Sequence, residues 1–342
     1  MRRITKNLGN SENLNENPIN KKEIKRVLIS RPNHRLGNLL LITPLVQEVS
    51  NTFPNCKIDL FVKGNLGSVI FQNLDYIDRI INLPKKHFKH LNKYLGGWFQ
   101  IKKHKYDLVI NVVETSSSGR LSTKLANSGY KFFGENENKC EVEDWDYLHM
   151  AKGPVYNFRC YLSHMGFPLN LDEVPTLQLK LTSHELSAGK QILQKMVEKE
   201  QKTICLFTYA TGPKCYDEVW WSNFYNRLKG EFFDFNFVEV LPVENVSQIA
   251  FAEPAFYSKD IREIGAFIAN TDIFIGADSG IMHLASATGT PVIGLFSVTQ
   301  PERYAPYGSL SHGVNTNEKN TDDIITEIKK ILNRDQLKFV SS

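Results

Sequence analysis

The chain has 342 residues, 42% of them hydrophobic and 23% charged, with a net charge of +4. That balance excludes a fibrous or wholly disordered protein and leaves apolar material for two cores. No apolar run approaches the roughly 20 residues that a membrane span needs. The charge is unevenly divided. Residues 1–175 hold 25 Lys+Arg against 17 Asp+Glu, a net of +8, and residues 176–342 hold 16 against 20, a net of −4. A basic first half suits an anionic partner such as a phosphorylated lipid headgroup or a membrane surface, and no nucleic-acid module is recognisable. The five cysteines, Cys56, Cys140, Cys160, Cys205 and Cys215, are odd in number and lack CxxC spacing. They read as free thiols of a reducing cytoplasm, with no metal.

In chain order, residues 1–24 are rich in Asn, Glu and Lys and lack the apolar segment of a secretory signal, so a disordered lead-in is expected. A first domain is expected over 25–172. Residues 26–32 (RVLISRP) read as a strand, and His34-Arg35-Leu36-Gly37-Asn38 as the loop at its end. Leu39 to Val49 reads as a helix in which Pro44 should remove the bond to the Leu40 carbonyl, giving a kink or a loose first turn. Further strands are expected at Lys57–Lys63, Arg79–Leu83 and Asp107–Val113. Pro84 to Tyr106 carries seven lysines and no acid, interleaved with Phe88, Tyr94, Trp98 and Phe99. It reads either as a basic amphipathic segment at a membrane interface or as a connecting helix with core aromatics. Gly96-Gly97 should break any continuous helix there. Cys140 to Met150 is an acidic loop, in which Asp144-x-Asp146 imitates a metal-binding DxD without the apolar strand that should precede it. An amphipathic helix runs from Pro154 to near Gly166, and Pro168 to Pro175 reads as the linker.

The second domain, 173–342, alternates again. Helices are expected at Ser183–Lys199, Trp220–Lys229, Asp260–Asn270 and Asp322–Leu332. Strands are expected at Thr203–Tyr209 and Phe237–Leu241, with Ala210 to Lys214 a loop at a strand end. Thr271 to Phe296 (TDIFIGADSGIMHLASATGTPVIGLF) is the most informative stretch. It reads strand, tight turn, helix, tight turn, strand. Asp278 and Ser279 are N-cap residues, Ile281, Leu284, Ala285 and Thr288 recur at helical spacing, and Gly289 with Pro291 ends the helix. A strand feeding a helix N-terminus through small residues makes an anion site from free backbone N–H groups and the helix dipole. The overall alternation implies parallel, doubly wound sheets, whose ligands bind outside the carboxyl ends of strands. Arg31 to Asn38, Asn111 to Arg120 and Asp278-Ser279-Gly280 all fall at such ends.

Asp278-Ser279-Gly280 with His283, Leu284 and Ala285, then Gly289-Thr290-Pro291, Gly294-Leu295-Phe296, Pro301 and Pro306-Tyr307-Gly308, resemble the donor-site signature of glycosyltransferase family 9. These are the bacterial heptosyltransferases of lipopolysaccharide synthesis and their relatives. Leu36-Gly37-Asn38-Leu39 with Thr43-Pro44 extends the resemblance to most of the chain from about Arg26. The resemblance implies an α/β, GT-B fold: two Rossmann-like doubly wound domains facing across a cleft. It implies an inverting, metal-independent transfer with no cofactor beyond the nucleotide-sugar donor. By family precedent, heptose would move from ADP-heptose onto a lipopolysaccharide-type or other envelope glycan acceptor, an anionic glycolipid, at the cytoplasmic face of the inner membrane. Another nucleotide sugar, used for a capsule or O-antigen, is an alternative.

On the donor side, Lys214 resembles the family's phosphate-binding lysine, although the tryptophan that usually follows closely appears only at Trp220 and Trp221. Ser279 and Gly280 would offer backbone N–H groups, and Asp278 would bind sugar hydroxyls or cap the helix. His283, one turn in, could reach a phosphate or sit in the core. Glu244 could accept from ribose hydroxyls or simply lie at the surface. The acceptor side departs from the pattern. The family has Gly-Asp where this chain has Gly37-Asn38, and that aspartate is the family's general base; a second family aspartate corresponds to Asn111. An amide cannot take a proton at neutral pH. Either Glu114 or His34 is the base, or transfer needs little base help, or the chain is a catalytically weak sugar-nucleotide-binding protein. Arg31, Arg35 and Arg120 would grip an anionic acceptor.

Overall fold

The computed structural model describes Ser11 and residues 20–86, 89–135, 140, 142, 145–198, 200–308 and 310–338. The lead-in expected over 1–24 therefore lies outside the described residues, apart from Ser11 and 20–24. Chain contacts divide the protein into two compact units, Met1–Pro175 and Thr176–Ser342.

The first unit is built on a five-stranded sheet of β1 (Arg26–Ser30), β2 (Lys57–Lys63), β3 (Ile77–Leu83), β4 (Lys105–Asn111) and β5 (Asn127–Phe132). Their order is β3-β2-β1-β4-β5, and every pairing is parallel. The second unit carries β6 (Thr203–Phe207), β7 (Asn236–Val240), β8 (Ala255–Phe256), β9 (Ile273–Ala277), β10 (Val292–Phe296) and β11 (His312–Asn315). Their order is β11-β10-β9-β6-β7-β8, again wholly parallel. Parallel strands covered by helices on both faces read as continuous apolar runs, and β6, β9 and β10 are buried at every position. Strand order reverses once in each sheet, between β1 and β4 and between β6 and β9. Such a switch point is where the loops leaving the carboxyl ends part and a ligand fits. The solved structures compared below show that this two-part, Rossmann-like α/β architecture is the GT-B fold.

Several local expectations are corrected. Of the kink or loose first turn expected at Pro44, the second is found, and the proline does not kink a long helix. The chain forms one turn at Leu36–Leu40 and restarts at Thr43–Thr52, with Pro44 in the first turn of the second helix. There its missing N–H costs no intrahelical bond. Gly96-Gly97 does not break its segment either: one helix spans Leu91–Lys103. A Cβ on Gly97 would meet Leu83 Cδ2 at 2.8 Å, so the glycine brings the helix against β3. That close packing offsets its propensity cost of about 1 kcal/mol. Strands β5, β8 and β11 were not foreseen. Each lies at a sheet edge, where one side faces no neighbouring strand and the sequence is less apolar.

Each unit has an arginine–carboxylate clasp. In the first, Arg159 Nε and Nη2 donate to the two oxygens of Glu48 at 2.8 Å each, Asn170 adds a donor at 3.0 Å, and both charged residues are buried. This ties the helix after the β1 loop to the helix Lys152–His164. In the second, Arg262 pairs with Glu185, which also closes a capping box with Thr182 at the start of helix Ser183–Gln194. Arg262 holds the Glu185 carboxyl down to about 2.

Candidate active site

The expected site residues fall on the loops that flank the two switch points. His34, Arg31, Arg35 and Asn38 follow β1, and Glu114 and Arg120 follow β4. Lys214 follows β6, and Asp278, Ser279, Gly280 and His283 follow β9. Glu244 lies on the turn after β7, the neighbour of β6.

In the second unit the site is built from backbone outward. The β9 strand ends at Gly276-Ala277. A Cβ on Gly276 would stand 3.0 Å from the Phe207 carbonyl oxygen, so the β6 and β9 ends approach closely. Ser279 is the N-cap of helix Gly280–Ala287, its side chain accepting from the Met282 N–H at 3.2 Å. The remaining first-turn N–H groups and the positive end of the dipole are left for an anion. Asp278 is not the cap. It is buried, its backbone N–H donates to Leu295 O at 3.0 Å, and its Oδ2 receives Lys214 Nζ at 3.2 Å and Thr299 Oγ1 at 2.6 Å. Lys214 is held there by its own loop. Gly212, at φ +66°, turns a single 3₁₀ turn over Gly212–Lys214 that Cys215 N–H closes onto Gly212 O. Behind it Tyr216 lies against Trp220, with ring centres 4.1 Å apart, and its hydroxyl meets Thr316 at 2.8 Å. His283 is buried, with Nε2 4.0 Å from Asp278 Oδ1.

Gly294 and Gly308 are explained by packing around this turn. A Cβ on Gly294 would strike Met282 Sδ at 2.6 Å and Pro306 Cδ at 3.1 Å, and one on Gly308 (φ +74°) would strike Thr176 Cγ2 at 2.3 Å. Glu244 is exposed. Two residues were missed from sequence. Thr299 lies just beyond the apolar run 292–296, where no strand or helix signal points to it. Glu239 is fully buried in β7 and accepts from Thr208 Oγ1 at 2.5 Å. Thr208 in turn accepts from Gln248 N at 3.0 Å, which ties the loop carrying Glu244 to the end of β6. Burial pushes the Glu239 carboxyl up, against the hydrogen bonds from Ser247 and Thr208. A glutamate inside an otherwise apolar strand was the available signal.

In the first unit the loop after β1 is knit by side chains. Asn38 Oδ1 accepts from Arg31 Nη2 and its Nδ2 donates to Asn33 Oδ1, both at 3.3 Å, while Asn33 Oδ1 also accepts from Arg35 N at 2.9 Å. His34 is exposed. Its imidazole is held below the usual histidine range by partial burial and then by Lys63, Lys85 and Arg35, which keeps it neutral and able to accept a proton. Arg35 is exposed and Arg31 half-buried. Arg120 is buried at 4% exposure, over the Phe133 ring at 5.2 Å and 3.9 Å from Glu135, so it has little surface to give a ligand. Glu114 is half-buried.

Asn111 has a different task from a base. Its Nδ2 donates to Val113 O at 2.9 Å and Phe133 O at 2.8 Å, which a carboxylate could not do. A Cβ on Gly119 would lie 2.1 Å from Asn111 Oδ1, so glycine is required beside it. Of the DxD pair, Asp144 lies outside the described residues, and Asp146 Oδ1 accepts from His149 N at 3.2 Å.

The chain is similar to known glycosyltransferases. Residues 259–330 match the model of Glycosyltransferase family 9 (heptosyltransferase), a span that holds the β9 turn and its helix. The chain is 24% identical over 292 residues to lipopolysaccharide heptosyltransferase 3 of Escherichia coli, covering 80% of this chain and 84% of that protein. It is 20% identical over 305 residues to the lipopolysaccharide core heptosyltransferase OpsX of Haemophilus influenzae, covering 83% of each. Among solved structures, a glycosyl transferase family 9 protein of Veillonella parvula superposes with a TM-score of 0.68 at 17% identity over 92% of each chain. E. coli heptosyltransferase WaaC with ADP does so with a TM-score of 0.65 at 13% identity, over 90% of this chain and 99% of that one.

Proposed function

We propose that this chain, a glycosyltransferase of family 9, moves heptose from ADP-heptose onto lipopolysaccharide core, inverting the anomeric centre and using no metal ion. The reading includes an anionic glycolipid acceptor and peripheral contact with the cytoplasmic face of the inner membrane. Its main support is the β9 turn: a buried Asp278 holding Lys214 at 3.2 Å beside the N-terminus of helix Gly280–Ala287. A departing nucleoside diphosphate needs its developing charge met by preorganised donors. A lysine and a free helix N-terminus at a switch point supply them, which is the work a metal does in other transferases. Thr299 and Lys214 fix the Asp278 carboxylate, leaving its remaining lone pairs for sugar hydroxyls.

The acceptor hydroxyl must lose a proton as the new bond forms. Asn38 cannot take it, since its oxygen is already engaged by Arg31 and an amide is no base. The proton goes to His34 or Glu114, the candidate bases on the loops after β1 and β4. Arg31 and Arg35 bind acceptor anions.

Titration calorimetry of the full chain with ADP, metal-free, tests the donor reading. ADP should bind, and Lys214→Ala should weaken it roughly tenfold to 100-fold, the worth of one charge-assisted bond. No affinity for ADP, or affinity only with Mg²⁺, defeats the reading. Turnover of ADP-heptose with core glycolipid, with the product's anomeric configuration read by NMR, tests sugar and stereochemistry. A second reading, a catalytically weak sugar-nucleotide-binding protein, is favoured by Asn38 alone, and would show ADP binding without turnover.

A further inference from the structure

The helix Leu91–Lys103 packs on the first unit by one face only. Gly97 and Ile101 are buried, Tyr94 and Trp98 lie against the cluster of Leu28, Phe61, Ile81 and Leu83, and Trp98 meets the Phe61 ring edge-on at 5.2 Å. The two glycines mark the two faces: a Cβ on Gly97 would strike Leu83, whereas one on Gly96 would meet nothing within 4 Å. The outward face carries Leu91, Leu95 and Phe99, spaced four residues apart and 54%, 55% and 66% exposed. Residues four apart stack along one side of a helix. In the same segment Lys85, Lys86, Lys89, Lys93, Lys102, Lys103 and Lys105 are all exposed, and Pro84–Tyr106 contains no acid.

We infer that the Leu91–Leu95–Phe99 stripe with the lysines of its segment docks on an anionic lipid surface and holds the β1 loop there. Charge complementarity selects this occupant. A protein partner's apolar ridge would have no use for seven uncompensated lysines, whereas apolar side chains sunk between headgroups and lysines level with them are how an interfacial helix binds. The placement also has a consequence for the site. The segment leaves the carboxyl end of β3, and Lys85 sits beside the β1 loop: a Cβ on Gly64 would meet Lys85 Cε at 2.8 Å and His34 Cβ at 3.4 Å. A bilayer engaged by this helix therefore lies next to His34, where a lipid-anchored acceptor would present its glycan. The inference rests on the glycolipid reading for its purpose but not for its binding.

Vesicle flotation of the full chain tests it. Phosphatidylcholine vesicles containing phosphatidylglycerol should bind the protein, and pure phosphatidylcholine should bind much less. The triple variant Leu91→Ser, Leu95→Ser, Phe99→Ser should lower the partition on the order of 10³-fold, since each buried side chain contributes about tenfold. Lys86→Gln, Lys89→Gln, Lys93→Gln should lower it on the order of 100-fold at low salt, an effect that salt erases. All six positions are exposed, and unchanged thermal melting confirms that the variants fold. Transfer to a deacylated, water-soluble acceptor should be untouched in both variants, while transfer to vesicle-borne acceptor falls. Equal binding to neutral and anionic vesicles overturns the inference. So does an unchanged partition in the serine variant, or a dimer in sedimentation that the serine variant splits without any vesicle binding. If vesicles bind as expected and no acceptor is glycosylated, the proposed function fails and the docking surface stands.

Discussion

The turn after β9 and the loop after β1 occupy the same place in their sheets, and they make a site in opposite ways. Both leave a buried strand beside a switch point. The β9 turn feeds an eight-residue helix capped by Ser279, and the groups it offers an anion are backbone N–H groups. The β1 loop feeds a five-residue turn with no side-chain cap, Leu36–Leu40, and its polar groups are the side chains of Arg31, Asn33, His34 and Asn38. A backbone site survives most substitutions that preserve the fold. A side-chain site changes chemistry with one atom, as Asn38 does, while the fold around it stays the same. The β9 turn is thus tied to the architecture, whereas the chemistry of the β1 loop hangs on single side chains.

The sharpest way to break this contrast is to remove the base. Loss of His34 or of Glu114, as His34→Ala or Glu114→Gln, should cost about 10²–10⁴-fold in kcat in whichever variant carries the proton. ADP affinity measured by calorimetry should stay within about twofold in both, because the donor turn belongs to the other unit. The pH profile identifies the carrier. His34 is held below its ordinary 6.5, so if it is the base the rate should persist below pH 6.5 and fall only as the imidazole protonates. Loss of ADP binding in either variant would show that the two halves are not separable in this way.

Next in size are the two clasps. Glu48→Gln leaves Arg159 as a buried guanidinium without its carboxylate, and should destabilise the first unit by about 3–5 kcal/mol in chemical denaturation. Glu185→Gln removes a partner that is 23% exposed, so its cost should be only about 1–2 kcal/mol after solvent screening. The pH dependence follows from the sign of the shift. Glu185 sits at about 2 against an ordinary 4.5. Its contribution is therefore complete above about pH 4.5 and drains away as pH falls towards 2. Equal costs for the two clasps would show that burial does not govern them.

The smallest effect should come from Asn38→Asp. The new carboxylate would stand where Asn38 Oδ1 now accepts from Arg31 at 3.3 Å. An ion pair with a guanidinium depresses a carboxylate and makes it a poorer base. The substitution should change kcat by no more than about threefold, whereas a restored base would raise it by at least about 10²-fold. Steady-state kinetics with ADP-heptose separates these outcomes.

Much of the second unit around the β9 turn was legible. Ser279 as cap, Gly289 at φ +84°, the apolar runs of β9 and β10 and the Lys214 loop all follow from local rules, because backbone conformation and strand burial leave marks within a few residues. Thr299 and Glu239 left weaker marks. Their roles arise from contacts 21 and 31 residues away in sequence, and no local pattern encodes such pairs. Arg120 shows the same limit from the other side. Its charge suggested a ligand-binding arginine, and only its seat over Phe133 reveals it as buried.

Sequence by itself determined the parallel alternation, the strand-end loops, the capped helix after β9 and the missing carboxylate at Asn38. Each of these is written in the type and spacing of neighbouring residues. Tertiary structure decided which face of Leu91–Lys103 meets the sheet, since Gly97 can approach Leu83 and Gly96 has nothing to approach. It decided that Asn111 serves as a donor clamp, because the carbonyls it satisfies, on Val113 and Phe133, are brought together only when the β4 loop closes on the segment after β5. It also decided that Asp278 binds Lys214 and Thr299 while Ser279 caps the helix. Two adjacent residues with the same capping propensity were divided between two tasks by what the folded chain placed within reach of each.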